Sequence, residues 1–292
     1  MTQLFTTFNT LLLFSVFQLS VAFSAHAQER IVSAGANITE LFFALDAEDY
    51  LVAADSTSKS YLQGTDIAQV GYHRQLSAEG LMALNPTHLI GSPEMGPETT
   101  LKLITASNVE VLTLSSENSL SALNQRIDII AEITDKQQQA EQLKHSVRSD
   151  IEFLSQGSLS TPPKVIFLML SKDRPATAAG TNTPVDTIIS LSGAKNPASD
   201  MIESYKPLSY EAIIALQPDY ILVSERTIES FGGQDNIIKK LPLLAATPAG
   251  KHQQIISVPS SALIGGFGLQ SIELAKKLNQ LFTLNPPITL NQ

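Results

Sequence analysis

Tyr72, His73 and Arg74 stand consecutively in the run Val70-Gly71-Tyr72-His73-Arg74-Gln75-Leu76. A phenol, an imidazole and a guanidinium are between them able to ligate a metal, to titrate and to pair with an anion. The run leads from a strand-like turn into a helix, so it should project at a rim. Ser204-Tyr205-Lys206-Pro207-Leu208 sets a second aromatic beside a second cation at the equivalent place further along. An exposed aromatic packed on its neighbouring loop would give the same pattern, so residue types alone leave the chemistry open.

Other reactive constellations are missing. The chain has no G-x-x-x-x-G-K-[ST], no H-E-x-x-H and no G-x-S-x-G. Gly265-Gly266-Phe267-Gly268 lacks the spacing of a dinucleotide turn. His88 falls in an apolar strand and reads as a satisfied core residue. His145 and His252 fall in polar surroundings, so a multi-histidine metal centre is not expected. Cysteine is absent, which excludes disulfide scaffolds, thiolate metal sites and cysteine nucleophiles together. Asn37-Ile38-Thr39 matches a glycosylation acceptor but reads as a helix cap.

Composition sets the wider frame. Of 292 residues 43% are hydrophobic and 16% charged, enough apolar material for a sizeable core. The net charge of −9 argues against a nucleic-acid binder, which needs a basic face. Residues 1–27 carry no charge, hold the apolar run Leu11 to Phe17, and end in Ala25-His26-Ala27. They are expected to be a secretory leader cleaved after Ala27. Gln28 would follow the cut, and without a cysteine thiol it cannot take a lipid anchor. The mature chain is then expected to be soluble and exported.

The elements that must position the Tyr72 loop come from an internal repeat. Leu76 to Ile90 recurs as Leu208 to Leu222, with Leu, Ser, Glu, Ala, Leu and Pro coinciding at an offset of 132 residues. Each copy reads as a short helix capped by Ser77 or Ser209, stopped by Pro86 or Pro218 and followed by a buried strand. A period this long marks a lobe used twice, not a solenoid. Further strands are expected at residues 30–33, 50–54, 109–114, 164–170 and 255–258, and a helix from Asn37 to Leu45 with Asn37 as its cap. Strands alternating with helices predict parallel sheets covered on both faces. Ala140, Leu143, Val147, Ile151 and Leu154 make one apolar stripe, so residues 135–157 should be a single helix joining lobes 28–134 and 158–292. The fold class is therefore α/β: two Rossmann-like lobes, one connecting helix, and a ligand cleft between them at the carboxyl ends of the strands. So stiff a connector predicts small lobe motion on binding.

The sequence resembles the periplasmic haem-binding proteins of bacterial haem ABC importers, members of the helix-linked class of substrate-binding proteins. The likeness is carried by Arg30 to Ser33 with Thr39-Glu40-Leu41, by Val70 to Gly80, by Ala178-Ala179-Gly180, by Tyr205 to Ser209, by Gly232-Gly233 and by Gly265 to Gly268. The resemblance implies that Tyr72 is the axial ligand of ferric haem, a hard anionic oxygen suited to Fe(III). Arg74, on the same side of an extended loop, would help the phenol lose its proton, and His73 would be the competing ligand or touch the haem edge. Gly265, Gly266, Phe267 and Gly268 would line the haem from the second lobe. Lys59, Lys172, Arg174 and Lys206 are the candidate propionate partners. Glu98 and Glu229, 131 residues apart, are the implied docking carboxylates for a permease and its ATPase, with an outer-membrane haem receptor upstream.

The resemblance implies a carrier and not an enzyme, with haem as cargo. Two other readings stay open. The same scaffold could hold a ferric siderophore or a cobamide, and related two-lobe folds serve metal-dependent or redox enzymes.

Overall fold

The computed structural model describes residues 28–156, 159, 161–172, 174–263 and 266–285. The expected leader at 1–27 and Gly265 lie outside the described residues. In the first lobe β1 (Ile31–Ala34), β2 (Leu51–Ala54), β3 (Ala68–Gln69), β4 (His88–Gly91) and β5 (Glu110–Thr113) form one sheet in the order β3-β2-β1-β4-β5. Every pairing in it is parallel. Ile31, Val32, Leu89 and Ile90 are wholly or almost wholly buried, as strands covered on both faces require. The covers are α1 (Ala36–Ala44), α2 (Ala78–Met82), α3 (Glu98–Ala106) and α4 (Leu120–Thr134).

The connector is α5 (Gln137–Gln156), about 30 Å long at 1.5 Å per residue. Asp135, in the left-handed region at φ 54°, ends α4 and turns the chain into it. The stripe divides as an inter-lobe strut must. Ala140 and Val147 join the core of the first lobe, with Leu143 and Ile151 packed against it, while Leu154 enters the core of the second.

The second lobe holds β6 (Val165–Met169), β7 (Thr177–Ala179), β8 (Tyr205–Pro207), β9 (Tyr220–Ser224) and β10 (Ile255–Val258) in the order β10-β9-β6-β7-β8. Here the expectation of parallel sheets is corrected: β6–β7 and β7–β8 run antiparallel. For β6–β7 the cause is local, since the two strands are joined by a link too short to carry a crossover helix, whereas β7 and β8 are reversed with a helix between them. Around the sheet stand α6 (Pro184–Leu191), α7 (Tyr210–Leu216), α8 (Glu225–Phe231), α9 (Asp235–Lys240), α10 (Pro248–Lys251) and α11 (Leu269–Leu284).

The repeat is structural. Helix α2 is capped by the Ser77 hydroxyl accepting from Gly80 N–H, and α7 by the Ser209 hydroxyl accepting from Ala212 N–H. The strands that follow, β4 and β9, lie parallel beside the first strand of their own lobe. Ser209→Ala is expected to cost about 1 kcal/mol, the usual worth of such a cap, read as a lower urea midpoint with unchanged slope. Asn37 departs from expectation. Gly35 occupies the cap of α1, at φ 128°, and Asn37 is the second helical residue.

Candidate functional site: an inter-lobe cleft

A cleft of about 700 Å³ opens between the carboxyl ends of the two sheets, within the roughly 300–1,000 Å³ usual for small-molecule sites. From the first lobe come Tyr72, His73 and Arg74 after β3, Glu94 after β4, and Ser116 and Asn118 after β5. From the second come Phe167 and Met169 on β6, Tyr205 on β8, Ser224 and Arg226 at the end of β9, and Gly266 after β10. Loops following strands line both walls, as open α/β sheets dictate.

The Tyr72 loop is not extended: residues 73–75 form a 3₁₀ turn, closed by Gln75 N–H donating to Tyr72 O over 2.7 Å. Two bonds lace it to the loop after β4. Gly96 N–H donates to His73 O, 2.9 Å, and Leu76 N–H to Gly96 O, 2.7 Å. The turn separates the three reactive side chains. Tyr72 is 40% exposed and faces the cleft, whereas His73 is 1% exposed beneath it, with ring centroids 4.4 Å apart.

His73 is held from behind by Asp55, which is fully buried. Nδ1 donates to Asp55 Oδ2 over 3.0 Å, and the His73 backbone N–H reaches the same oxygen at 3.3 Å. Burial raises the Asp55 carboxyl, but hydrogen bonds from His73 and Thr57 outweigh it and hold the group below its ordinary value. The other ring nitrogen, Nε2, lies 3.7 Å from Glu94 Oε2. Glu94 also binds Arg74, with Nη2 to Oε1 at 2.6 Å. Arg74 is thus paired with a carboxylate across the loop, an engagement that its spacing from Tyr72 did not reveal.

Tyr205 faces Glu94 from the opposite lobe. Burial, then the Glu94 charge, push its phenol up to about 12. At neutral pH it is a neutral hydrogen-bonding group. Lys206 follows it on a strand, where successive side chains take opposite faces, and is exposed away from the cleft. Lys59, Lys172 and Arg174 are exposed as well, and none of these four is among the described residues lining the cleft. Arg226 is the cation that reaches the second wall. It was missed because it sits in a helix start whose charge alternation reads as solvated surface.

The glycine turn divides. Gly266, at φ 104°, lines the cleft, and its place against Ser116 leaves little room for a side chain. Phe267 does not line it: 1% exposed, it packs in the core of the first lobe with Ile38 and Ile127. Gly268 lies against the Glu40 carboxylate, which occupies the space a Cβ would need. His88 is a partly exposed strand-start residue flanked by Glu29 and Glu110, not a core histidine. Among the described residues no group of three or more His, Asp or Glu is placed to hold a metal ion, and no helix is long and apolar enough to cross a membrane.

The family model for periplasmic binding proteins matches residues 31–262. The chain belongs to that family. Among solved structures this binding protein is similar to the periplasmic haem-binding protein HutB of Vibrio cholerae, at 48% identity and a TM-score of 0.83, covering 89% of this chain and all of that one. It is also similar to the periplasmic haem-binding protein RhuT from Roseiflexus sp. RS-1, at 38% identity and TM-score 0.80, covering 87% and 98%. Among curated proteins it is similar to the vitamin B12-binding protein of Vibrio campbellii, 23% identical over 72% of this chain and 76% of that one. These neighbours are substrate-binding transport proteins and not enzymes, and the two solved structures share the two-lobe α/β architecture.

Proposed function

We propose that this binding protein captures ferric haem in the cleft, with the Tyr72 phenolate as axial ligand, and delivers it to the permease of an ABC importer in the inner membrane. The observation that carries the reading is the exposed Tyr72 facing, across the cleft, a wall that pairs apolar Phe167 and Met169 with the cation Arg226. A flat apolar macrocycle bearing two carboxylates needs such a wall. Arg74 and Arg226 are the cleft cations for the propionates. Because Arg74 is already paired with Glu94, Arg226 carries the larger share. The likeness to haem-binding neighbours of 48% and 38% identity supports haem over other cargo.

For docking we propose Glu98 and Glu229. Glu98 opens α3 and is exposed, paired with Lys102 one turn on at 2.7 Å, and Glu229 is exposed on α8. Surface pairs of this kind are worth little on their own, so the Glu98 carboxylate can exchange Lys102 for a permease cation. Upstream supply through an outer-membrane haem receptor, and export through the leader at 1–27, complete the proposal.

Titration with hemin, followed by visible absorption, tests it: saturation at a fixed stoichiometry is expected, with no ring opening on prolonged incubation. Arg226→Gln should weaken binding about tenfold, one charge-assisted hydrogen bond. The B12-binding relatives make a cobamide the second reading. Saturable binding of cyanocobalamin, with hemin keeping the absorption spectrum of its protein-free solution, would select it.

A further inference from the structure

The two lobes meet beneath the cleft through two buried ionisable side chains that the proposed haem chemistry does not use. Arg126, on α4, is 1% exposed. Its Nη1 donates to Ser115 O over 2.6 Å and its Nη2 donates to Phe267 O. Ser115 and Phe267 adjoin Ser116 and Gly266, which line opposite walls of the cleft. One guanidinium therefore holds the backbones of both walls at their base. Glu40, on α1, continues the join. Its Oε1 accepts from Leu269 N–H at 2.8 Å, and its Oε2 from Gln270 N–H at 3.2 Å and Tyr61 O–H at 3.3 Å. The Gln270 side chain returns to the Tyr61 oxygen at 2.5 Å.

Stability alone does not explain this construction. Burying a carboxylate and a guanidinium costs more than an apolar pair of like volume, and Arg126 Nε is buried without a hydrogen-bond partner among the described residues. What the two groups supply is direction: fixed donors and acceptors that define where the 267–270 segment sits against the first lobe.

We infer that Arg126 and Glu40 are positioning residues for the cargo, a clasp that sets the spacing of the two cleft walls and whose grip depends on proton uptake. The inference rests on the cleft being the cargo site but not on the cargo being haem. The titratable groups facing the Glu40 carboxyl are Tyr61 from the segment after β2 and Arg126 from α4. The second lobe meets it with backbone amides and Gln270. Burial keeps the Tyr61 phenol protonated well above its usual range, and Arg126 stays a cation, so Glu40 is the titrating member. Burial outweighs its hydrogen bonds and raises it from 4.5 to about 7. Once the segment withdraws and water enters, the carboxyl returns towards its ordinary value. The closed clasp therefore holds a proton between those two values that the open one gives up, and raising pH through 7 favours opening.

The cysteine-free chain makes the test clean. Spin labels on Leu103→Cys and Met201→Cys, exposed positions in opposite lobes, report the inter-lobe distance by pulsed electron paramagnetic resonance without any cargo. The distribution should broaden from pH 5.5 to 8.5 in the otherwise unaltered chain and be independent of pH in Glu40→Gln. Arg126→Met should broaden it at both pH values, and Arg126→Lys should restore part of the narrowing. Hemin release to a scavenging apoprotein should quicken about tenfold in Arg126→Met, and should rise with pH except in Glu40→Gln. Distributions that ignore both pH and substitution overturn the clasp, and the pH arm, run on the labelled chain with Arg126 and Glu40 intact, needs no clasp variant to fold. If the distances respond as stated but hemin never binds, the clasp stands and the haem reading falls.

Discussion

Tyr72→Phe is expected to weaken hemin binding at least about 100-fold, roughly 2.7 kcal/mol, and to remove the charge-transfer absorption of high-spin tyrosinate. His73→Ala should keep that band. The asymmetry follows from what each side chain already holds. Tyr72 stands at the cleft wall with 40% of its surface open. His73 would have to abandon a 3.0 Å bond to a buried carboxylate, and its second nitrogen faces Glu94. Tyr205, the other phenol in the cleft, is pushed up to about 12 by burial and the Glu94 charge, so it is the poorer source of a phenolate. Tyr205→Phe should therefore leave the band in place. If the band instead survives in Tyr72→Phe and vanishes in His73→Ala, the ligand is the imidazole. If neither substitution moves binding, the pocket holds a cargo that needs no axial oxygen.

Much of this arrangement is legible in the chain because it is local. The Ser77 and Ser209 caps, the prolines after them and the apolar strands beyond are consecutive signals, and they fix two copies of one supersecondary unit. The stripe from Ala140 to Leu154 has one period throughout, so the strut can be read before its partners are known. The Tyr72 loop is visible because its three residues are adjacent. What stayed hidden depends on partners far apart in sequence. Asp55 meets His73 across 18 positions, Arg126 meets Phe267 across 141, and Glu40 meets Gln270 across 230. Glu40 sat in plain view three positions after Asn37, where it imitates half of a capping box. Its carboxylate instead serves the start of another helix in the other lobe. Lys206 could have been discarded from sequence, since strand alternation turns it away from whatever Tyr205 faces.

Asp55→Ala should cost about 3 to 5 kcal/mol, the range for removing one member of a buried polar pair, measured as the loss in urea unfolding free energy at pH 7. The carboxylate organises two regions at once. Its Oδ1 accepts from Gly35 N–H at 2.9 Å, fixing the positive-φ turn into α1, and from the Ser58 hydroxyl at 3.0 Å. Ser58 in turn is hydrogen-bonded to Thr39, and Thr39 to Ser33, a buried hydroxyl chain that would lose its anchor. Its Oδ2 holds both the ring and the backbone of His73, and through them the turn that presents Tyr72. Asp55→Asn separates the two duties. The amide oxygen can still serve Gly35, but its NH₂ then faces Nδ1, which must switch from donor to acceptor. About half the loss is expected, with hemin affinity falling further than stability because the disturbed side is the one carrying the Tyr72 turn. The pH dependence has the opposite sign to that of Glu40. Asp55 is held below its ordinary value of 3.8, so its contribution is full above that value and disappears as pH falls through the lower, folded one. The unfolding free energy of the wild-type chain should drop below pH 4, and that drop should be smaller in Asp55→Asn. Equal acid sensitivity in the two chains would remove Asp55 from the support of the cleft.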